Sequence, residues 1–171
     1  MRDCPGQWHQ RCWDACRRGL AMAYWRLHYH LVWATALRQP LIDGTTAPVI
    51  EQALYRKARE LGVIIHQVGG LEDHLHVVAT IPPRLAVARC LQHFKGASSY
   101  AVNSSLHRGR RFRWQDGYGA LTVGQRALAL VVDYVKHQRE HHASGKILRA
   151  LEQCEPFPPA SRTASPRTTR P

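Results

Sequence analysis

A chain of 171 residues can bury one compact core with short tails but cannot house two enzymes, so one domain has to carry both binding surface and chemistry. Lys and Arg number 24 against 12 Asp and Glu, a formal net charge of +12, which favours a polyanionic partner such as nucleic acid over a small-molecule role, unless the basic balance only aids solubility. Five cysteines without C-x-x-C pairing suggest neither a disulfide framework nor a zinc ribbon and fit a reducing cytosol, and no apolar run approaches the roughly 18 residues of a membrane span or resembles a signal peptide.

Residues 1–21 have neither helical nor alternating periodicity and read as an N-terminal extension, with Met22 a second candidate start. His9, Cys12 and Cys16 lack zinc-type pairing. From Tyr24, YWRLHYHLVWAT is rich in aromatic and β-branched residues and predicts a strand ending before Pro40. The segment TAPVIEQALYRKARELG, with Thr46 first, Pro48 early and Gly62 last, predicts an amphipathic helix. VIIHQVGG and HLHVVATI, parted by a Gly turn and closed by Pro82-Pro83, predict two further strands. Apolar Leu85, Ala88, Leu91 and Phe94 predict a second helix over 84–106, with a break expected at Gly96. FRWQDGYGALTV predicts a turn and a short strand, and QRALALVVDYVKHQREHHA a third helix ending near Gly145. The order β-α-β-β-α-β-α predicts an α+β, ferredoxin-like fold over 22–155: an antiparallel sheet with helices on one face. Residues 156–171, rich in Pro, Ser, Thr and Arg, are expected to be a disordered tail.

Two features bear on chemistry. His74 and His76 lie two apart on a strand, so their imidazoles leave the same face and can form part of a divalent-metal site, although histidines on a half-exposed sheet face would show the same spacing. Tyr134 and Gln138 lie four apart on a helix and share one face a turn apart. A phenol with an ordinary pKa near 10 is a weak nucleophile, but a cation on the phosphate it attacks lowers the barrier; the alternative is a core tyrosine with a satisfied hydroxyl.

Four blocks in order, GGLEDHLHVVATIPP, LQHFKGASSYAVN, FRWQDGYGALTV and VVDYVKHQREHH, resemble the single-tyrosine HUH transposases, including those associated with repetitive extragenic palindromes. The likeness spans about Met22 to Leu151. His74 and His76, with Leu75 between, match the family's histidine-hydrophobic-histidine motif; Tyr134 matches its nucleophile, and Gln138 the polar residue that completes metal binding. The resemblance implies an Mg²⁺- or Mn²⁺-dependent enzyme that cuts single-stranded DNA at hairpin-containing element ends. It also implies a 5′-phosphotyrosine with a free 3′-hydroxyl, a homodimer, and a cytoplasmic, nucleoid-associated location. A domesticated relative that nicks structured repeats and a non-catalytic DNA-binding regulator are the competing readings.

Lys95, Arg108, Arg110, Arg111 and Arg113, interleaved with Phe112, Trp114 and Tyr118, form a candidate strand-binding stretch in which cations hold phosphates and rings stack bases. Trp114 and Tyr118 read as packing residues. Arg26, His28 and His30 alternate along the first strand, facing either DNA or solvent. His141 and His142 match the family pattern, with compensation of helix C-terminal charge as their simplest role.

Overall fold

The computed structural model describes residues 24–106 and 111–154. The expected extension 1–21, the expected tail 156–171, and Arg108 and Arg110 lie outside those residues. Four strands, β1 (His28–Ala34), β2 (Ile64–Gly70), β3 (His74–Thr80) and β4 (Gly119–Val123), form one antiparallel sheet in the order β2-β3-β1-β4. The α+β class and the antiparallel sheet expected from sequence are both present.

Alternation along the strands sorts the side chains into two layers. Leu31 and Trp33 of β1 and Leu75, Val77 and Ala79 of β3 join the main core with Ile50 and Leu54 of α1 (Thr46–Leu61) and Leu91 and Phe94 of α2 (Val87–Ser105). Helix α2 runs unbroken through Gly96. A glycine costs a helix interior only about 1 kcal/mol, and the buried stripe Cys90, Leu91, Phe94, Ser98 and Val102 carries packing across it on both sides.

The side chain that caps helix α1 lies upstream of its threonines: Asp43 Oδ1 accepts from the backbone N–H of Thr45 at 3.0 Å and of Thr46 at 2.9 Å, and from the Thr46 hydroxyl at 2.8 Å. Removing that cap by Asp43→Ala is expected to cost about 1 kcal/mol. For a domain of this size, that lowers the melting temperature by about 2–4 °C in a thermal scan.

The expectation of helices on a single face holds for α1 and α2 only. The predicted third helix is divided at His137 into α3 (Leu128–Lys136) and α4 (Gln138–Ala143), and α3 lies on the opposite face, where Tyr134 and Val135 pack on Val78 of β3. Gly69 permits this approach: a Cβ there would sit 2.1 Å from the Val135 carbonyl oxygen, a clash with backbone. A short α5 (Arg149–Glu152) follows, and Cys154 closes over Val32 and Ala34. Sheet faces covered on both sides explain why every residue of β3 is buried. Among the described residues, no helix is long and apolar enough to cross a membrane.

Candidate active site

The α3 face of the sheet carries a row of polar side chains. Register pairs Val32 with His76 and Ala34 with His74, which puts His28 and His30 of β1 on the same face as His74 and His76 of β3. His74 and His76 are buried with ring centroids 5.0 Å apart. Each is oriented through Nδ1: His74 Nδ1 lies 2.6 Å from Asp73 Oδ1, and His76 Nδ1 lies 2.9 Å from His30 Nε2. With those nitrogens engaged, both Nε2 atoms turn toward α3, α4 and α5.

His30 is fully buried and faces neither DNA nor solvent, contrary to both sequence expectations for it. Burial, and then the neighbouring His76, push its pKa down to about 3, so its imidazole is neutral at physiological pH.

Tyr134 and Gln138 meet the histidines as their four-residue spacing implies, despite the break at His137. Tyr134 donates its hydroxyl to Glu152 Oε1 at 2.7 Å and accepts from the Leu148 backbone N–H at 3.2 Å, while its ring stacks on His141 at 4.7 Å. The Gln138 amide nitrogen is 2.7 Å from the same Glu152 oxygen, 3.2 Å from His76 Nε2 and 3.1 Å from His142 Nε2. Glu152 Oε2 sits 3.3 Å from Nε2 of both His74 and His76.

This environment moves the titrations in opposite directions. Burial, followed by the Glu152 carboxylate, pushes the Tyr134 phenol up to about 12. Burial alone would raise Glu152, but the imidazoles of His74 and His76 beside it and the hydroxyl of Tyr134 hold it well below the usual carboxylate range. His76 is lowered by burial; for His74, burial pulls down, yet the carboxylates of Glu152 and Asp73 together raise it.

The donor set suits a divalent ion. His74 Nε2 and Gln138 Oε1 are buried without a hydrogen-bond partner among the described residues, and one ligand atom from each of His74, His76 and Glu152 falls within a 4.8 Å group. Two imidazoles, an amide and a carboxylate match the mixed nitrogen and oxygen preferences of such ions.

Sequence reasoning missed Glu152, Asp73, His30 and His142 in these roles. Asp73 had a local signal, a carboxylate adjoining the first histidine. His30 needed the strand register, and Glu152 needed the return of the chain after Gly145, neither of which is local.

The candidate DNA-binding residues fall elsewhere. Arg111 and Arg113 line a cleft of about 770 Å³ with Lys95, Trp114 and Tyr118. Lys95 Nζ donates to the carbonyls of Gln115, Asp116 and Gly117 at 2.5, 3.2 and 3.2 Å, tying the turn before β4 to α2. Trp114 is buried with its indole N–H on Ser98 Oγ at 3.0 Å, as a packing residue, whereas Tyr118 is partly exposed.

Comparison with known proteins converges on one group. The family model for IS200-like transposases matches residues 23–138. Over 146 residues the chain is 30% identical to the transposase for insertion sequence element IS200 of Salmonella typhimurium, covering 82% of this chain and 95% of that protein. It is 24% identical over 131 residues to the ISDra2 transposase TnpA of Deinococcus radiodurans, covering 72% and 91%. Two solved structures share the fold. One, described as a transposase from Deinococcus radiodurans R1, has a TM-score of 0.56 at 24% identity and covers 69% of this chain and 95% of that one. The other, a REP-associated tyrosine transposase bound to a REP hairpin, has a TM-score of 0.55 at 16% identity and covers 71% and 72%. A sequence match through the histidine strand, Tyr134 and Gln138, joined to a shared sheet-and-helix framework, leaves one conclusion: the chain belongs to the IS200-like transposase family, enzymes that cleave and transfer DNA.

Proposed function

We propose that this transposase cuts and rejoins single-stranded DNA with Tyr134 as nucleophile and with His74, His76 and Gln138 holding Mg²⁺ or Mn²⁺. The observation that carries the reading is the convergence of the Tyr134 hydroxyl, the Gln138 amide and two imidazole Nε2 atoms on the Glu152 carboxylate. The cation, when bound, supplies positive charge to the scissile phosphate and stabilises its transition state. The chain's own groups do the rest. Asp73 and His30 fix the two imidazoles, and the sheet holds them rigid. Tyr134 Oη attacks phosphorus in line; the bond to the 3′-oxygen breaks, the phenol gives up its proton as the departing oxygen takes one up to leave as a 3′-hydroxyl, and a 5′-phosphotyrosine remains. Attack by a different 3′-hydroxyl reverses the step and restores the tyrosine, so strand exchange needs no ATP.

The substrate in this proposal is a hairpin-bearing single strand, in keeping with the REP hairpin held by the neighbour of the same fold. The cleft with Lys95, Arg111 and Arg113, adjoined in sequence by Arg108 and Arg110, is the proposed strand-binding surface. Action as a homodimer on two element ends belongs to the same reading. The direct test is incubation with labelled single strands from the chain's own genomic flanks. A denaturation-resistant adduct mapped to Tyr134, followed by joining to a second strand, is expected; a 3′-phosphate product with no adduct would exclude it.

His30 gives a subtler prediction. Replacing it by Phe keeps a somewhat larger aromatic ring in place but removes the partner of His76 Nδ1, and loss of such an orienting bond costs about 10- to 100-fold in metal affinity. Calorimetric titration with Mn²⁺ checks this, and a wild-type dissociation constant would mean that His30 only fills space.

A further inference from the structure

We propose that Glu152 is a further protein ligand of the divalent ion, and that the same carboxylate seats the Tyr134 hydroxyl beside it. The inference rests on the reading of His74, His76 and Gln138 as the cation's holders, and adds to it a residue beyond the matched family region 23–138.

The first argument is the balance of donors and acceptors. With Nδ1 of His74 facing Asp73 and Nδ1 of His76 facing His30, a neutral imidazole that donates from Nδ1 presents a lone pair at Nε2. Glu152 Oε2 then meets both Nε2 atoms at 3.3 Å, and His142 Nε2 at 3.6 Å. Acceptors facing acceptors repel unless positive charge lies among them, and although the Gln138 amide nitrogen reaches His76 Nε2 at 3.2 Å, His74 Nε2 has no hydrogen-bond partner among the described residues. Ligands on a divalent ion with bonds of about 2.1 Å sit about 3 Å apart when adjacent, which is close to the spacing here.

The second argument is chemical preference. Two imidazoles favour the softer transition metals and a single amide carbonyl is a hard but neutral oxygen, whereas carboxylate oxygen favours Mg²⁺ and Mn²⁺. Glu152 adds a second hard oxygen and the negative charge that a site for those ions needs.

The third is that the structure builds this placement. Cys154, two residues on, is buried against Val32 and Ala34, with Arg38 Nη2 3.1 Å from its sulfur. Gln153 lays its carbonyl over Gly119, where a Cβ would come within 1.9 Å of that oxygen. The end of α5 is thereby clamped on β1 and β4, and Glu152 is delivered to the histidines. Its two oxygens divide the work: Oε2 faces the imidazoles, and Oε1 accepts from Tyr134 and Gln138, each at 2.7 Å.

The test is Mn²⁺ binding to the full chain in the absence of DNA, read by calorimetry and by the rise in melting temperature on adding Mn²⁺. Glu152→Gln, which keeps shape and removes charge, is expected to weaken Mn²⁺ binding at least about tenfold and to shrink the melting shift, while Zn²⁺, carried by the two imidazoles, loses less. Glu152→Ala should do the same. A metal-free melting temperature near wild type shows that the variants fold. Wild-type Mn²⁺ affinity in both Glu152 variants, alongside loss of binding in His74→Ala, overturns the role of Glu152 alone. Wild-type affinity in His74→Ala overturns the metal centre and this inference with it.

Discussion

Tyr134→Phe is expected to abolish the covalent DNA adduct and to slow cleavage by at least about four orders of magnitude, the scale of loss when a covalent nucleophile is removed, while strand binding stays within a few-fold of wild type. The substitution deletes one oxygen. The ring keeps its place, stacked on His141 and packed with Val78 and Val135. What disappears is the bond to Glu152 and the one from the Leu148 N–H, worth about 1 kcal/mol each in net stability, so the variant remains folded at assay temperature. The chemical loss is complete because no other hydroxyl reaches the histidine Nε2 corner among the described contacts. With the phenol pushed up to about 12, only about one molecule in 10⁵ is ionised at pH 7, and attack has to shed its proton within the step. Gel separation of the protein–DNA adduct and anisotropy with the labelled strand measure the two quantities independently. Undiminished cleavage by the variant would remove Tyr134 from the chemistry.

Local periodicity made much of this arrangement readable. HLHVVATI places His74 and His76 on one face by alternation, and Tyr134 with Gln138 on one helical face by spacing, and those four side chains do meet. Long-range placement was not readable. LALVVDYV is apolar nearly all round, so nothing in it reveals which sheet face α3 covers; that depends on Gly69 admitting the Val135 carbonyl. His30 reads as one more polar residue in an alternating strand until pairing sets it against His76. Glu152 sits past Gly145 at the end of a four-residue helix that follows Leu148, a segment too short to carry a periodic signal, and only the tertiary clamp at Cys154 brings it home. Gly96 misled in the other direction. A local breaker was overridden by a buried stripe that runs from Cys90 to Val102, six residues to either side of it.

The second large effect concerns metal. Excess chelator is expected to reduce cleavage to background and Mg²⁺ or Mn²⁺ to restore it, whereas His76→Ala should be inactive at any ordinary concentration of either ion. Truncating His76 deletes one proposed ligand and leaves His30 Nε2, Gln138 and Glu152 facing a gap, so both affinity and alignment are expected to fail together. Strand binding by the variant, measured at fixed salt because phosphate contacts are salt-sensitive, should persist, since the basic cleft lined by Arg111 and Arg113 is separate from these groups. Acidity provides an independent check on the same centre. An imidazole binds a cation only when its Nε2 is unprotonated. His74 has its pKa raised above the ordinary 6.5 and His76 has its pKa lowered, so His74 takes up a proton first as pH falls. Mn²⁺ affinity should therefore be full on the alkaline side of His74's titration, which lies above the ordinary imidazole value, and decline as the pH falls through it, with His76 contributing only at lower pH. Cleavage that survives chelation, or an Mn²⁺ affinity flat from pH 8 to pH 5, is incompatible with imidazoles holding the ion.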